Sequence, residues 1–304
     1  MKKLSAENFE RAKIFIQEKA RPLEKHLFNF HFESGSAQAV LDALAKHQNE
    51  DGGFGHALEP DFRLKNSSPM ATTVGLQILR EVDAANKHPM AQSAIHYLTK
   101  NYQQHLDRWI SVPEPVNDVP HAPWWHVAGP EEPGFTANPS AEIVAHLWHY
   151  APLSSENLRE TTLSLALDLL KKTPDQMEFH DMLCWIWLIK SDHVPQDAQE
   201  TVRTKLIQAT PHVVTTDPDQ WSGYAAKPLW FAPSPDAPLA SVLEKDVQVN
   251  LDYEIEQQAE DGTWSPIWNW GDQYEDAWAQ AKREWKGILT LNLLKSFKAY
   301  GRLG

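Results

Sequence analysis

Apolar positions recur at three- and four-residue intervals along most of this chain, and no stretch alternates in the manner of a half-buried strand. Phe9, Ala12 and Ile16 share one face of a helix that Ser5 caps and that ends before Pro22. Pro22 suits the first turn of a second helix, with Leu23, Leu27 and Phe30 turned inward and a stop at Gly35. Ser36 opens a third. Ser68-Pro69 starts another, carrying Ala71, Val74 and Ile78, and Asn138-Pro139 repeats that start with Ala141, Val144 and Trp148 at the same offsets. The spacing predicts further helices over 89–106, 155–172, 179–191, 195–209, the stretch leading to residue 258, and 278–300, the last stopped by Gly301. Residues 109–137 and 210–238 are rich in Pro and Trp and carry no period. Loops of that length inside a compact domain are usually functional or mobile. The pattern predicts an all-α chain of about a dozen helices. No linker composition divides it, so a single domain over 1–304 is expected.

One short phrase occurs twice. Gln48-Asn49-Glu50-Asp51-Gly52-Gly53-Phe54-Gly55 is echoed by Gln258-Ala259-Glu260-Asp261-Gly262-Thr263-Trp264. Both read Gln, two residues, Asp-Gly, one residue, then an aromatic, and both follow an apolar-periodic stretch. Gly supplies the positive φ of a helix exit or tight turn, and the aromatic then folds back on the helix it has left. The Gln amide, with two donors and two acceptor lone pairs, ties the turn to a neighbouring helix end. The phrase is an architectural device and performs no chemistry.

The phrase resembles the QW-type repeat of the squalene cyclase and protein prenyltransferase superfamily. The resemblance implies an α/α toroid of about five to six inner and outer helix pairs, a repeat architecture in which stacked pairs share one core. It also implies an apolar, isoprenoid-like small molecule bound or transformed in a Trp-rich central cavity. The family's reactive strings are missing: there is no Asp-x-Asp-Asp acid and no Asp-Asp-x-x-Asp magnesium box. The nearest match to the zinc motif Asp-x-Cys is Asp181-Met182-Leu183-Cys184, one residue too long.

Composition narrows the partners. The chain has 28 Lys and Arg against 41 Asp and Glu, a net charge of −13, which argues against nucleic acid or an anionic membrane. Cys184 is the only cysteine, so an intramolecular disulfide is impossible and a reducing, cytoplasmic setting is expected. The N-terminus turns polar at once, unlike a signal peptide. The longest apolar run, 182–189, is far short of a membrane span. Thirteen tryptophans stand out in this length; most belong to the core, but so many large rings also make an aromatic-lined cavity an expectation.

Two sets of residues have metal-ligand spacing. Asp181 and Cys184 share a helix face at i, i+3, and Glu142, His146 and His149 align at i, i+4, i+7. Each also has a plain structural reading, so a fold without metal or other cofactor is expected. The stronger site candidate comes from ring closure, which would bring the loops after the two phrases together. The first offers His56, Glu59, Asp61 and Arg63; the second offers Trp268, Trp270 and Asp272. Glu59, Asp61 and Asp272 are the candidate catalytic carboxylates, because neighbouring carboxyl groups diverge in pKa and divide acid and base work. His56, Arg63, Trp268 and Trp270 are candidate ligand contacts, with Trp124, Trp125 and His126 as a lid from the long loop. Three functions fit: a handler of an isoprenoid-like molecule, a carbohydrate-active hydrolase or lyase using the rim carboxylates, or a toroid serving only as an interaction module. Oligomeric state and substrate are not encoded in any of these patterns.

Overall fold

In the computed structural model, which describes residues 1–85, 87–130, 132–191 and 193–304, the protein is all-α, and among the described residues β pairing is limited to isolated bridges. In chain order the helices are α1 (Ala6–Lys19), α2 (Pro22–Phe32), α3 (Ala37–Leu44), α4 (Pro69–Glu81), α5 (Pro89–Lys100), α6 (Ser140–His149), α7 (Glu156–Lys172), α8 (Phe179–Ile189), α9 (Gln196–Val213), α10 (Pro228–Phe231), α11 (Glu244–Glu256) and α12 (Glu275–Ala299). No helix of the described residues is long and apolar enough to cross a membrane. The chain parts into two compact units, Met1–Ala43 with Val214–Gly304, and Leu44–Val213.

The expected starts hold where capping chemistry is local. Ser5 Oγ accepts from Asn8 N, Ser68 Oγ from Ala71 N, and Ser36 Oγ from Ala39 N. Pro22 and Pro69 occupy first-turn positions of α2 and α4. Several boundaries differ. The second helix buries Phe28 rather than Phe30, because Phe28 stacks on Phe32 at 4.9 Å and meets Phe9 of α1 at 6.0 Å. The helix expected over 89–106 stops at Lys100: Asn101 Nδ2 caps the Tyr97 carbonyl, and Trp109 Nε1 reaches back to the Leu98 carbonyl at 2.7 Å. Pro139 caps α6 instead of opening it, and α9 runs through Pro211 to Val213 although that proline cannot donate to the carbonyl four residues back.

The two phrases build the same turn. Gln48 Nε2 donates to the carbonyls of Gly52 (2.9 Å) and Met90 (3.1 Å), while Gln258 Nε2 donates to those of Gly262 (2.9 Å) and Asn8 (2.9 Å). Asp51 Oδ1 accepts from Gly53 N, and Asp261 Oδ1 from Thr263 N. Phe54 N and Trp264 N each donate to a threonine hydroxyl, Thr72 of α4 and Thr290 of α12. Gly52 (φ +89°) and Gly262 (φ +82°) press on the helix that carries the outer acceptor: an added Cβ would stand 2.4 Å from Ser93 O of α5 or from Arg11 C of α1. Thus the first phrase clamps a turn onto the N-terminal end of α5, and the second does the same for α1.

That match has a topological meaning. The first phrase leads into α4 and rests on the next helix, α5. The second leads into α12 and rests on α1, at the other end of the chain. The two termini accordingly join: Leu4 N donates to Arg302 O and Gly304 N to Leu4 O, both at 2.8 Å. Buried Arg302 bonds the Lys2 carbonyl, Asp252 and Gln248, and α12 packs along α1 and α2. In the other unit α6 is the central helix, buried from Ser140 to Leu147, with α8, α7, α4 and α5 around it and α9 against α8.

Candidate functional site

In the unit Leu44–Val213, the loop after the first phrase pairs with the middle of the long loop. Ala122 N donates to Asp61 O (2.7 Å), Arg63 N to Pro120 O (2.9 Å), and Phe62 bridges His121. This pairing gathers most of the expected first-loop and lid residues. Glu59 and Asp61 are both buried, 8% and 4% exposed, and Glu59 Oε2 accepts from Asp61 N at 2.8 Å. Arg63 Nη1 reaches the Pro60 carbonyl. His56 takes a left-handed φ of +50°, as does its neighbour Ala57, and His56 Nε2 donates to Asn49 Oδ1 at 2.8 Å. Such strain in consecutive residues is held only where the surroundings over-determine it. Asn49 does so here, its Nδ2 donating to the Lys65 carbonyl and Ser67 Oγ.

On the facing loop, Trp125 stands edge-on to Phe62 at 5.5 Å, with its Nε1 buried and without a partner, while Trp124 is 50% exposed. His126 is exposed and stacks on buried His121, ring centroids 5.4 Å apart. Asn117 locks this tip from both sides: its Nδ2 donates to the Val127 carbonyl and its Oδ1 accepts from Val127 N. Val127, Lys65, Asn66 and Ser67 also line an open groove of about 1190 Å³, together with Tyr97, Lys100 and Glu114.

Trp268, Trp270 and Asp272 belong to the other unit. Trp270 is fully buried against Trp278, so its ring is spent on packing and presents no open stacking face. Asp272 is exposed. Trp268 is half-buried and stands in a row of rings: Trp230 to Tyr224 6.2 Å, Tyr224 to Trp268 6.0 Å, Trp268 to Trp285 5.1 Å, each pair edge-to-face. Tyr224 is 52% exposed, and Trp230 and Trp285 are half-buried. Trp230 is fixed because Asn250 Oδ1 caps Leu229 N and the buried Lys227–Glu254 pair (2.8 Å) ties α10 to α11. Tyr224 follows Trp221, whose Nε1 donates to the Thr215 carbonyl. Trp285 projects from α12. Tyr224, Trp230 and Trp285 were not among the sequence candidates; the aromatic crowding of 210–238 was the only signal for Tyr224 and Trp230, and Trp285 lay unmarked in the last helix.

Of the metal-spaced residues, the structure brings together Glu142 and His146 (Nε2 to Oε1 3.1 Å), with Gln77 Nε2 on the same oxygen at 2.7 Å. His149 turns instead to Tyr150 and His193. Burial, followed by the charges of Glu142, Asp181 and Glu178, pushes the Cys184 thiol well above its usual pKa, which disfavours the thiolate a metal needs. Asp181 is also raised, by burial first and by Glu178 second. Among the described residues, no group of three or more His, Cys, Asp or Glu side chains is placed to hold a metal ion. No protein-family model matches the chain, and no curated protein matches it.

Proposed function

We propose that this chain binds an apolar, isoprenoid-like small molecule, with the row Trp230–Tyr224–Trp268–Trp285 as its contact surface. The row is the observation that carries the reading. Four partly exposed rings in sequence form an apolar patch of the kind that marks a ligand surface. The negative face of an aromatic attracts any positive charge developing on an unsaturated chain. The scaffold we propose is an α/α toroid similar to those of terpene cyclases and prenyltransferases. It is supported by the matching turns of the two phrases and the pairing of Leu4 with Leu303.

Quenching of Trp fluorescence by farnesol or geranylgeraniol tests this. Saturable quenching is expected, with Tyr224→Ala and Trp268→Ala each weakening binding by about 1–2 kcal/mol. A chain that ignores both alcohols overturns the reading. The second reading, a carbohydrate-active protein, is favoured by the two buried carboxyls Glu59 and Asp61, two residues apart and tied together by the bond from Asp61 N to Glu59 Oε2. It predicts binding of neutral oligosaccharides, abolished by Glu59→Gln and untouched by Tyr224→Ala.

A further inference from the structure

The two Asp-Gly turns serve as templates for one another. In both, the first carboxylate oxygen is held in the same way. Asp51 Oδ1 accepts from Gly53 N (3.0 Å) and Ser67 Oγ (2.6 Å), and Asp261 Oδ1 accepts from the backbone and the hydroxyl of Thr263. The Gln anchors set the register of the helices beneath, Met90 of α5 matching Asn8 of α1. Tyr97 and Phe15 therefore correspond, each seven residues further on.

At the second oxygen the two copies part. Asp261 Oδ2 takes the Lys286 ammonium at 2.6 Å, and the same Nζ lies 5.6 Å from the centre of the Phe15 ring. Four residues before the anchoring threonines Thr290 and Thr72, the counterpart of Lys286 is Ser68, whose hydroxyl caps α4. Among the described residues Asp51 forms no ion pair. Tyr97 is 6% exposed, and its hydroxyl bonds to no described residue. Burial first and the charge of Asp51 second push that hydroxyl above its usual pKa, so the carboxylate's field reaches the phenol. Gly53 replaces Thr263 and lets Tyr97 close on Ser67: an added Cβ would stand 2.8 Å from Tyr97 Cδ2 and 2.6 Å from Ser67 Cβ.

Asp51 and Tyr97 both line the open groove of about 1190 Å³. Lys65 and Lys100 line it too, both exposed and, among the described residues, without an ion pair; Glu114 is a further acid on its wall, and Ile110 and Val112 are apolar. Asn101 and Gln103 donate through their amide nitrogens to backbone carbonyls, which leaves their side-chain oxygens to accept N–H groups from the groove. The volume exceeds the about 300–1,000 Å³ of pockets built for compact molecules, so the ligand is extended.

We propose that this groove binds a peptide, holding one of its primary ammonium groups between the Asp51 carboxylate and the Tyr97 ring as the second turn holds Lys286, with peptide carboxylates on Lys65 and Lys100. A carboxylate beside a ring attracts an alkylammonium twice, by charge and by the negative ring face. The ammonium belongs to the peptide's amino terminus or to a lysine side chain, which present the same group. The site lies within the unit Leu44–Val213, apart from the aromatic row, and needs neither Glu59 nor Asp61.

Titration calorimetry of the full chain with the peptide Lys-Val-Asp-Val-Asp-Val decides it, its valines and aspartates matching the apolar and basic walls. Three relatives separate the sources: one acetylated at the amino terminus, one with norleucine for lysine, and one with both changes. Saturable binding is expected of the parent peptide, with a weakening of about fivefold or more when both ammonium groups are gone. The singly changed peptide that keeps its affinity identifies the source. Asp51→Asn retains the Oδ1 acceptor that the turn uses but puts a donor in place of Oδ2, so it should weaken the parent peptide equally and leave the thermal midpoint in place. Lys65→Ala combined with Lys100→Ala should weaken it as well. The proposal is overturned by a doubly changed peptide that binds as well as the parent or by no saturable binding of any of the four. Undiminished affinity in a folded Asp51→Asn chain, or in the double lysine variant, overturns it too. If Asp51→Asn does not fold, the four peptides on the parent chain still decide.

Discussion

His146 sits fully buried in α6 with Nε2 on Glu142, and its Nδ1 has no partner. Burial is the largest influence on it and lowers its pKa below 6.5; Glu142 pulls the other way, and the nearby charges of Arg80 and Lys190 add to the lowering. The folded chain therefore holds this ring neutral at a pH where the unfolded chain already binds a proton. Stability from this group is fully present above about pH 6.5 and declines as pH falls from there toward the folded value. Urea melts across that window should show His146→Gln losing less stability on acidification than the parent. An equal acid slope in both would show that another group governs it. Phe28 illustrates the same scale from another side. Its burial was not readable from the helical period, because the contact with Phe9 depends on how α1 and α2 cross.

At the level of elements, the Asp-Gly turns are the feature most legible in sequence. Their geometry is local: an Asp oxygen two residues back, a Gly at positive φ, a Gln amide over the turn. Gln48→Ala or Gln258→Ala should each cost about 1–3 kcal/mol by leaving buried carbonyls unpaired. Gly262→Ala should cost more, about 2–5 kcal/mol, since strain at φ +82° adds to a backbone collision with Arg11. Gly271→Ala is the control: its φ is +71°, but nothing stands within 4 Å of the added methyl. Denaturant midpoints in that order check the account, and equal losses at Gly262 and Gly271 would remove the collision from it. The loops were less legible. Residues 56–63 and 124–126 stand out by their chemistry, yet their meeting runs through backbone bonds at 61–63 and 120–122 that follow no period. His121, which bridges Phe62 and meets the His126 ring, had nothing in the sequence to mark it. Tyr224 and Trp230 were hidden likewise in a stretch where α10 is a single turn set by Asn250 and Lys227.

For the molecule as a whole, the division into units is also a division of the chain. Leu44–Val213 is continuous, whereas the other unit is assembled from Met1–Ala43 and Val214–Gly304. Because Leu4 and Leu303 lie side by side, their neighbours can be joined without crossing the fold. A circular permutant linking Gly304 to Met1 through a few glycines, and opened at the exposed turn near Pro235, should retain full helicity and melt cooperatively near the parent's midpoint. Far-UV circular dichroism would register failure as a loss of helix.

The same joining sets an order on synthesis. Helix α1 leaves the ribosome well before the long helix it packs against and the phrase that clamps it. At usual elongation rates the interval is roughly ten to fifty seconds. Through that time Ile16 and Phe28, fully buried at the end, have no C-terminal helix to cover them. Meanwhile the continuous unit between them is complete and free to fold. The nascent chain thus holds the apolar faces of α1 and α2 uncovered until α12 is made, which makes these two helices a place where a chaperone would hold it.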